Sequence, residues 1–233
     1  MSAIHDAIFG IVIGLSLSVW PGDGLSRTVR GAVRGGLAGG LAAGVGGVAA
    51  NLLAALLIGT VVLLAPVTGN HDSAGAMVVG LLSGTALVVL GWLLMEDRTA
   101  GAVHRERAGD HVRVWAKNPF LDRFFASVLS PRWHVLWWVA GTGMLLVIAR
   151  DGWRGLAAFA VGLGLSGLLV RTILAVRLAA PGREWAVSDR TFRIVTALAG
   201  LGIVGLGFFV AYDATVRISL DESLKRIVET VFG

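Results

Sequence analysis

The chain has 233 residues, of which 55% are hydrophobic and only 15% are charged, and its mean hydropathy is +0.77. A soluble domain usually carries charge on about a quarter of its residues, so this composition excludes an ordinary water-facing surface. The apolar residues also come in blocks that approach or exceed the roughly 20 residues of a membrane-spanning helix. We therefore expect an all-α membrane protein, because lipid cannot satisfy the hydrogen bonds of an exposed backbone.

The formal net charge of +5 does not indicate nucleic-acid binding. The basic residues fall in the short gaps between apolar blocks, where orientation signals lie, and form no basic domain. The chain has no cysteine, which excludes disulfides, thiol redox chemistry and cysteine metal sites. No residues at ligand spacing indicate a metal, so we expect neither metal nor cofactor. The first apolar stretch follows a start without Lys or Arg, so we expect no cleavable signal peptide.

Six apolar blocks predict about six transmembrane helices, over residues 4–20, 37–65, 74–95, 120–148, 155–176 and 192–211. We divide the chain into a first three-helix repeat (1–95), a charged cytoplasmic loop with a short surface helix (96–118), a second three-helix repeat (119–212) and a C-terminal tail (213–233). The tail has apolar residues at helical spacing opposite charged ones. It is therefore predicted to be an amphipathic helix that lies on the membrane or on a neighbour.

The distribution of basic residues predicts the orientation in the cytoplasmic membrane. Twelve lysines and arginines lie in the gaps after the first, third and fifth blocks or, for Arg193, at the edge of such a gap, whereas five lie on the opposite side. Because basic loops stay in the cytoplasm, we expect a multi-pass protein with both termini outside.

Each predicted repeat has a proline that interrupts its first span. Pro21 follows the first block, and Pro131 lies near the middle of the fourth, which is too long for one straight span. Three spans per repeat invert the second copy, and interrupted helices in inverted repeats indicate a transport site near the midplane. The alternative is that each proline merely kinks a packed helix; the recurrence favours a cavity.

These motifs resemble those of the LysE superfamily of exporters. The stretch from Gly14 to Gly22 resembles the family's glycine-rich first-helix run that ends in Pro-Gly-Pro. The glycine-rich stretch 34–46 is similar to the start of the family's second helix, and 124–146 resembles its Asn-Pro segment in a Trp-rich form. The resemblance covers residues 4 to about 212 and implies export of amino acids or related solutes by a secondary transporter.

The chain departs from the family pattern at several polar positions. Asp23 stands where the motif has its second proline, and Ser130 replaces the asparagine. Some relatives place a histidine and an acidic residue where this chain has Gly47 and Asn51, and the fifth helix has Leu163 and Gly167 in place of polar residues. These differences leave the predicted fold intact and put the substrate in question.

The two breaks and their neighbours supply the candidate substrate-binding residues. Arg132 follows the second proline at membrane depth. Its alternatives there are to bind a carboxylate substrate, to form a salt bridge with Asp23 or to extend to the membrane interface. Asp23 suits a substrate ammonium, a proton or a helix cap, and Asn51 suits a site or an interhelical hydrogen bond. Trp137 shares a face with Trp133 and suits stacking or packing. The full predicted set is Pro21, Asp23, Asn51, Ser130, Pro131, Arg132, His134 and Trp137.

Two other features have competing interpretations. Arg171 lies near the end of the fifth block, so we interpret it as a side chain that extends to the interface. Gly36, Gly40 and Gly44 form a ridge at a spacing of four, which allows close helix contact within one protomer or across a homodimer.

The sequence thus favours an exporter of a small polar solute embedded in the lipid bilayer. The alternative is a non-transporting scaffold or accessory protein with a degenerate LysE-like fold. We do not expect an enzyme, because His134 beside Ser130 provides too few groups for hydrolysis.

Overall fold

The computed structural model describes residues 3–19, 23–64, 74–96, 117–179 and 189–232. Regular structure in these ranges is helical, with no strand, which confirms the predicted all-α class. Pro21 lies outside the described residues, as does the surface helix predicted within 96–118. The helices are α1 (Ala3–Val19), α2 (Asp23–Leu64), α3 (Ala74–Glu96), α4 (Pro119–Val128), α5 (Pro131–His134) with a π-helical continuation (Val135–Gly141), α6 (Thr142–Ile148) with a 3-10 turn (Ala149–Asp151), α7 (Gly152–Ala179) and α8 (Asp189–Phe232).

Several of these helices have the length and composition of membrane spans. Arg34–Leu64, Val135–Arg177 and Ile194–Val216 are long and apolar enough to cross a membrane, and Ala3–Ser18 and Met77–Leu93 are shorter apolar helices. The outer faces carry large apolar side chains that are more than half exposed, among them Leu57, Leu82, Leu165, Leu198 and Phe208. An apolar exterior this extensive fits lipid rather than water. The count of six spans stays a prediction.

Two glycines change the direction of the chain, one within α2 and the other where α7 begins. Gly36 has φ 60° and ψ −155°, and Gly152 has φ 63° and ψ −148°. Glycine alone adopts this backbone region readily, because it has no β-carbon. At Gly36 the segment 23–35 folds back along the next part of α2, so that the backbones of Gly31 and Gly39 are in contact.

The glycine ridge predicted on α2 is therefore shorter than its spacing suggests. Gly36 lies at the reversal rather than on a regular helix face. Gly40 lies against Ala175 of α7, and Gly44 lies against Arg171. The contacts of Gly40 and Gly44 are thus within one protomer, and a homodimer stays a prediction.

Small residues bring the helices together in pairs. α1 packs on α7, α2 packs on both α7 and α4, and α3 packs on α8. Along the α3–α8 contact Gly84 meets Gly207 and Gly91 meets Gly200, so the two helices run antiparallel. Close contacts of this type are typical of helices packed in lipid. The core between the pairs contains Trp137, Leu145, Ile148, Phe159 and Leu163, each at most 2% exposed.

The C-terminal helix continues through residue 212, after which the predicted tail begins. α8 is continuous from Asp189 to Phe232. The physical reason lies in the sequence, which has neither glycine nor proline between residues 208 and 232. The tail is helical as its spacing predicts, and it extends the preceding helix.

Candidate functional site

The second proline interrupts the chain at the predicted place. α4 begins behind Asn118, whose side chain accepts a hydrogen bond from the Phe120 N–H, and it ends at Val128. The Ser130 N–H donates to the carbonyl of Ser127 (3.1 Å), and the Ser130 carbonyl accepts from the Trp133 N–H (3.1 Å). Pro131 then starts α5, where its missing N–H is not needed. The fourth predicted span is therefore two helical pieces joined at Leu129–Ser130.

A π-helical stretch follows this break. The turn of the π-helix Val135–Gly141 is wider than that of an α-helix, so some carbonyl groups lack the hydrogen bonds of a regular α-helix. The Ser83 hydroxyl of α3 donates to the carbonyl of Val139 (2.5 Å) and accepts from the Gly143 N–H (3.0 Å). The Thr142 hydroxyl donates to the carbonyl of Trp138 (2.6 Å). π-helical turns are frequent at functional sites, and this one carries Trp137.

Asn51 of α2 joins the broken segment through two indole groups. The Asn51 Oδ1 accepts hydrogen bonds from the Nε1–H of Trp133 (3.2 Å) and of Trp137 (3.4 Å). Because both partners are donors, they fix the orientation of the amide, so its NH2 group faces away from the indoles. Trp137 is 1% exposed, whereas Asn51 is half-buried. The cluster therefore combines a partly accessible amide group with two packed indole rings.

Two arginines lie over the same face of α2, closer to its beginning. Arg171 of α7 is 4% exposed and Arg123 of α4 is 8% exposed. The Arg171 Nη1–H donates to the Gly44 carbonyl (2.9 Å). A β-carbon at Gly47 would lie 2.6 Å from the Arg171 Nη1 and 2.8 Å from the Arg123 Nε. The bare backbone at Gly47 thus provides the space in which two guanidinium groups meet.

A salt bridge connects the folded-back segment of α2 to α4 beside these arginines. Arg27 donates from Nη1 to the Asp122 Oδ2 at 2.6 Å, and the two side chains are 4% and 14% exposed. Asp122 directly precedes Arg123, so this salt bridge holds the part of α4 that carries Arg123.

These groups all face α2 on one side, and together we call them the α2 seam. It comprises Gly44, Gly47 and Asn51 on α2 with the facing side chains of Arg123, Trp133, Trp137 and Arg171. The spacings of three and four place the α2 residues on one helix face. Gly47 and Asn51 are about 6 Å apart along the axis. The seam therefore places two guanidinium groups and an amide along one face of α2.

The structure brings together only part of the predicted site. Asn51 and Trp137 are in contact, and Ser130 forms the break beside them. His134 and Pro131 are exposed, and the His134 ring meets the edge of the Trp133 ring at 5.2 Å. Pro21 lies outside the described residues, and so do the side chains of Asp23 and Arg132.

Arg123 and Arg171 did not appear among the predicted site residues. The interpretation of Arg171 as a side chain that extends to the interface is wrong, because the side chain is buried against Gly44. The signal in the sequence was the apolar run after Arg171, which separates it from Arg177. The sequence around Arg123 gave no comparable indication of a buried arginine, because Arg123 follows a segment that is already rich in charged residues.

Other charged groups meet at the opposite end of the bundle. Arg150 binds Asp213 of α8 with an Nη2–Oδ2 distance of 2.6 Å. Asp6 of α1 is 1% exposed, and its Oδ2 would lie 2.9 Å from a β-carbon at Gly155. The described residues contain no group of three or more His, Cys, Asp or Glu side chains placed to hold a metal ion.

Comparisons with known proteins agree with the helical architecture. The family model described as LysE type translocator matches residues 15–214, which is most of the chain. Searches of curated proteins and of solved structures found no match.

Proposed function

Because the chain belongs to the LysE type translocator family, we propose that it is a secondary transporter that exports a small polar solute across the cytoplasmic membrane. We infer an amino acid or a derivative of one as the solute. The observation that carries this proposal is the contact of Asn51 with Trp133 and Trp137 next to the Ser130–Pro131 break. An interrupted helix that faces a half-buried amide is a suitable place to bind a solute.

Correspondences between the two parts of the chain support an alternating-access mechanism. Gly36 and Gly152 share one backbone conformation. Ten residues after each lies another glycine, Gly46 or Gly162, which touches the backbone carbonyl of Phe120 or of Ala7. These matches are expected of two inverted repeats that rock against each other around a central site.

Flux through reconstituted protein tests the proposal. We would load proteoliposomes with labelled amino acids and compare the wild type with Asn51→Leu and with Trp137→Phe. Asn51→Leu removes the amide proposed to bind the solute, a hydrogen bond of about 0.5–1.5 kcal/mol, so we expect roughly a two- to twelvefold loss of flux. Trp137→Phe keeps an aromatic ring but loses one donor, so we expect a smaller loss.

Trp138→Phe is the matched control, because Trp138 is the neighbouring residue and is 53% exposed. Its flux should equal that of the wild type. Equal flux in all four proteins would place the transport route away from the α2 seam.

We also propose that Arg132 and Asp23 contribute to the same route. Arg132→Ala should abolish flux while membrane insertion and thermal stability stay unchanged. Loss of folding instead would make Arg132 a structural charge.

A scaffold is the second candidate function, and the continuous helix α8 favours it. This helix extends an apolar span into the amphipathic segment beyond residue 213, a form that suits a partner or a membrane surface. If the chain is a scaffold, well-folded protein should transport none of the amino acids. Deletion of residues 216–233 should then release its partner in a pull-down from membranes.

A further inference from the structure

We propose that Asp6 is a proton-binding residue, and that the folded protein holds one proton between Asp6 and the neighbouring carboxylate of Asp151. This site lies at the end of the bundle where α1 and α7 begin. It shares no residue with the α2 seam, and proton binding there does not depend on the proposed function.

The first step of the argument is the environment of the Asp6 carboxylate. The side chain is 1% exposed, and in the part of the chain that the structure describes neither of its oxygens has a hydrogen-bond partner. The Oδ2 atom faces the backbone of α7, where a β-carbon on Gly155 would lie 2.9 Å away. A buried carboxylate that lacks donors and a cation becomes neutral by taking up a proton.

The second step is that the groups beside Asp6 accept hydrogen bonds. A β-carbon on Gly155 would also lie 2.5 Å from the carbonyl oxygen of Ile148 and 3.0 Å from the Cβ of Asp151. The Asp151 side chain is within reach of a hydrogen bond with Asp6. Two ionised carboxylates are acceptors only, so they repel each other and form no bond. One proton turns Asp6 into a donor and satisfies the pair.

The third step is that the other charged groups around Asp6 do not replace this proton. Arg150 binds Asp213 of α8 at 2.6 Å. His5 and the amino terminus attract negative charge on Asp6, but burial and the neighbouring carboxylate act more strongly in the opposite sense. The side chains of His5 and of Arg154, in the first turn of α7, are exposed, and exposed charges are screened by solvent.

The fourth step is the comparison with Asp122, which has a similar position in the second predicted repeat. Asp6 is the fourth residue of α1, and Asp122 is the fourth residue of α4. α1 packs on α7, and α4 packs on α2. Asp122 is balanced by Arg27 at 2.6 Å, whereas Asp6 meets another carboxylate. An ion pair therefore balances the carboxylate at one end of the bundle, and a proton balances it at the other.

Infrared spectroscopy of the purified protein in phosphatidylcholine nanodiscs tests proton binding directly. We expect the carbonyl stretch of a protonated carboxylic acid in the wild type at neutral pH, where an aspartate with the ordinary pKa of about 3.9 is ionised. Asp6→Asn should remove this band. Asp151→Asn removes the repulsion, so the band should disappear at a lower pH than in the wild type. His5→Gln is the matched control, because His5 is the exposed neighbour of Asp6, and the band should remain.

The pH dependence of stability gives a second readout. The folded protein holds a proton that the unfolded chain releases above about pH 4. Stability therefore falls as the pH rises above that value, until the folded protein has lost the proton too. The folding equilibrium constant of the wild type should decrease by up to about tenfold per pH unit relative to that of Asp6→Asn. The thermal unfolding midpoints of the two proteins, measured at matched pH values, report this difference.

Two outcomes would overturn the proton site: a wild-type spectrum without the acid band at neutral pH, or a band that persists in Asp6→Asn. Flux assays separate the site from the proposed function. If the repeats move apart at this end during transport, the proton is exposed to solvent, so wild-type flux should depend on the pH of that side and Asp6→Asn flux should not. An acid band without any flux would keep the site and remove the exporter. Flux with the same pH dependence in both proteins would keep the exporter and remove the proton from transport.

Discussion

The buried charges of the bundle are balanced in different ways. Arg27 binds Asp122 and thereby fixes the folded-back segment of α2 to α4. Arg150 binds Asp213 and fixes the 3-10 turn to α8. Removing one member of such a buried pair leaves an uncompensated charge, at a cost of about 3–5 kcal/mol. The fold is therefore sensitive to the loss of either partner of these two bridges.

The carboxylate of Asp6 is buried, so a negative charge on it is energetically unfavourable. Neither of its oxygens has a hydrogen-bond partner in the described part of the chain, and the side chain is 1% exposed. Asp151 adds electrostatic repulsion nearby. We expect Asp6→Asn to raise the free energy of unfolding by about 1 kcal/mol, because it keeps the shape and removes the charge.

Thermal unfolding in one detergent checks the Asp6 prediction. Asp151→Asn, which removes the same repulsion from the other side, is the comparison, since Asp151 is only half-buried. A lower unfolding midpoint for Asp6→Asn would show that the ionised carboxylate stabilises the protein.

Where a polar side chain interrupts an apolar block, the sequence singled out residues that the structure brings into contact. Asn51 stands among alanines and leucines, and Trp137 repeats Trp133 at helical spacing, so their shared face was visible. Arg171 was misinterpreted because its distance from the helix end is within reach of a long side chain. Whether such a side chain turns outward or inward depends on the partner helix, and here the glycines of α2 supply the space.

At the scale of elements, Gly36 and Gly152 determine where the helices change direction. Both lie in a backbone region that costs a residue with a β-carbon about 1–3 kcal/mol. We expect Gly36→Ala and Gly152→Ala each to lower the free energy of unfolding by that amount. Clashes do not contribute, because a β-carbon at either position would meet no atom within 4 Å.

Gly35→Ala is the matched control, since Gly35 is helical and equally open. Replacing a helical glycine by alanine should stabilise the protein by up to about 1 kcal/mol. Equal effects of Gly35→Ala and Gly36→Ala on the unfolding midpoint would contradict the reversal at Gly36.

The reversal at Gly36 could not be predicted from local sequence. Gly36, Gly40 and Gly44 have the spacing of a packing ridge, and a straight helix satisfies that pattern equally well. What distinguishes the two conformations is tertiary: Gly31 must contact Gly39, and Arg27 must reach Asp122. The break at Pro131, by contrast, is a local consequence of the missing N–H and was predictable.

At the scale of the whole molecule, the packing is reciprocal between the predicted repeats. α1 lies on α7, the second helix of the other repeat, and α4 lies on α2 in the same way. The antiparallel contact of α3 with α8 completes the pattern. This arrangement places the α2 seam where α2 meets α4, α5 with its π-helical continuation, and α7, so a relative movement of the predicted repeats would change its access.

The orientation of the bundle in the membrane is the prediction that gives transport its direction. Twelve basic residues against five predict that the loop that ends near Lys117 lies in the cytoplasm and that the start of α7 lies outside. The chain has no cysteine, so a single introduced cysteine is the one site that a maleimide can label. We expect Arg154→Cys to react with a membrane-impermeant maleimide in intact cells, because Arg154 is exposed in the first turn of α7.

Lys117→Cys, also at an exposed position, should react with the maleimide only after the cells are permeabilised. The reverse labelling pattern would invert the bundle, and the arginines of the α2 seam would then lie towards the outer face. In that case the proposed direction of export would be wrong. Labelling of both cysteines in intact cells would contradict a membrane boundary between residues 117 and 154, and with it the interrupted fourth span.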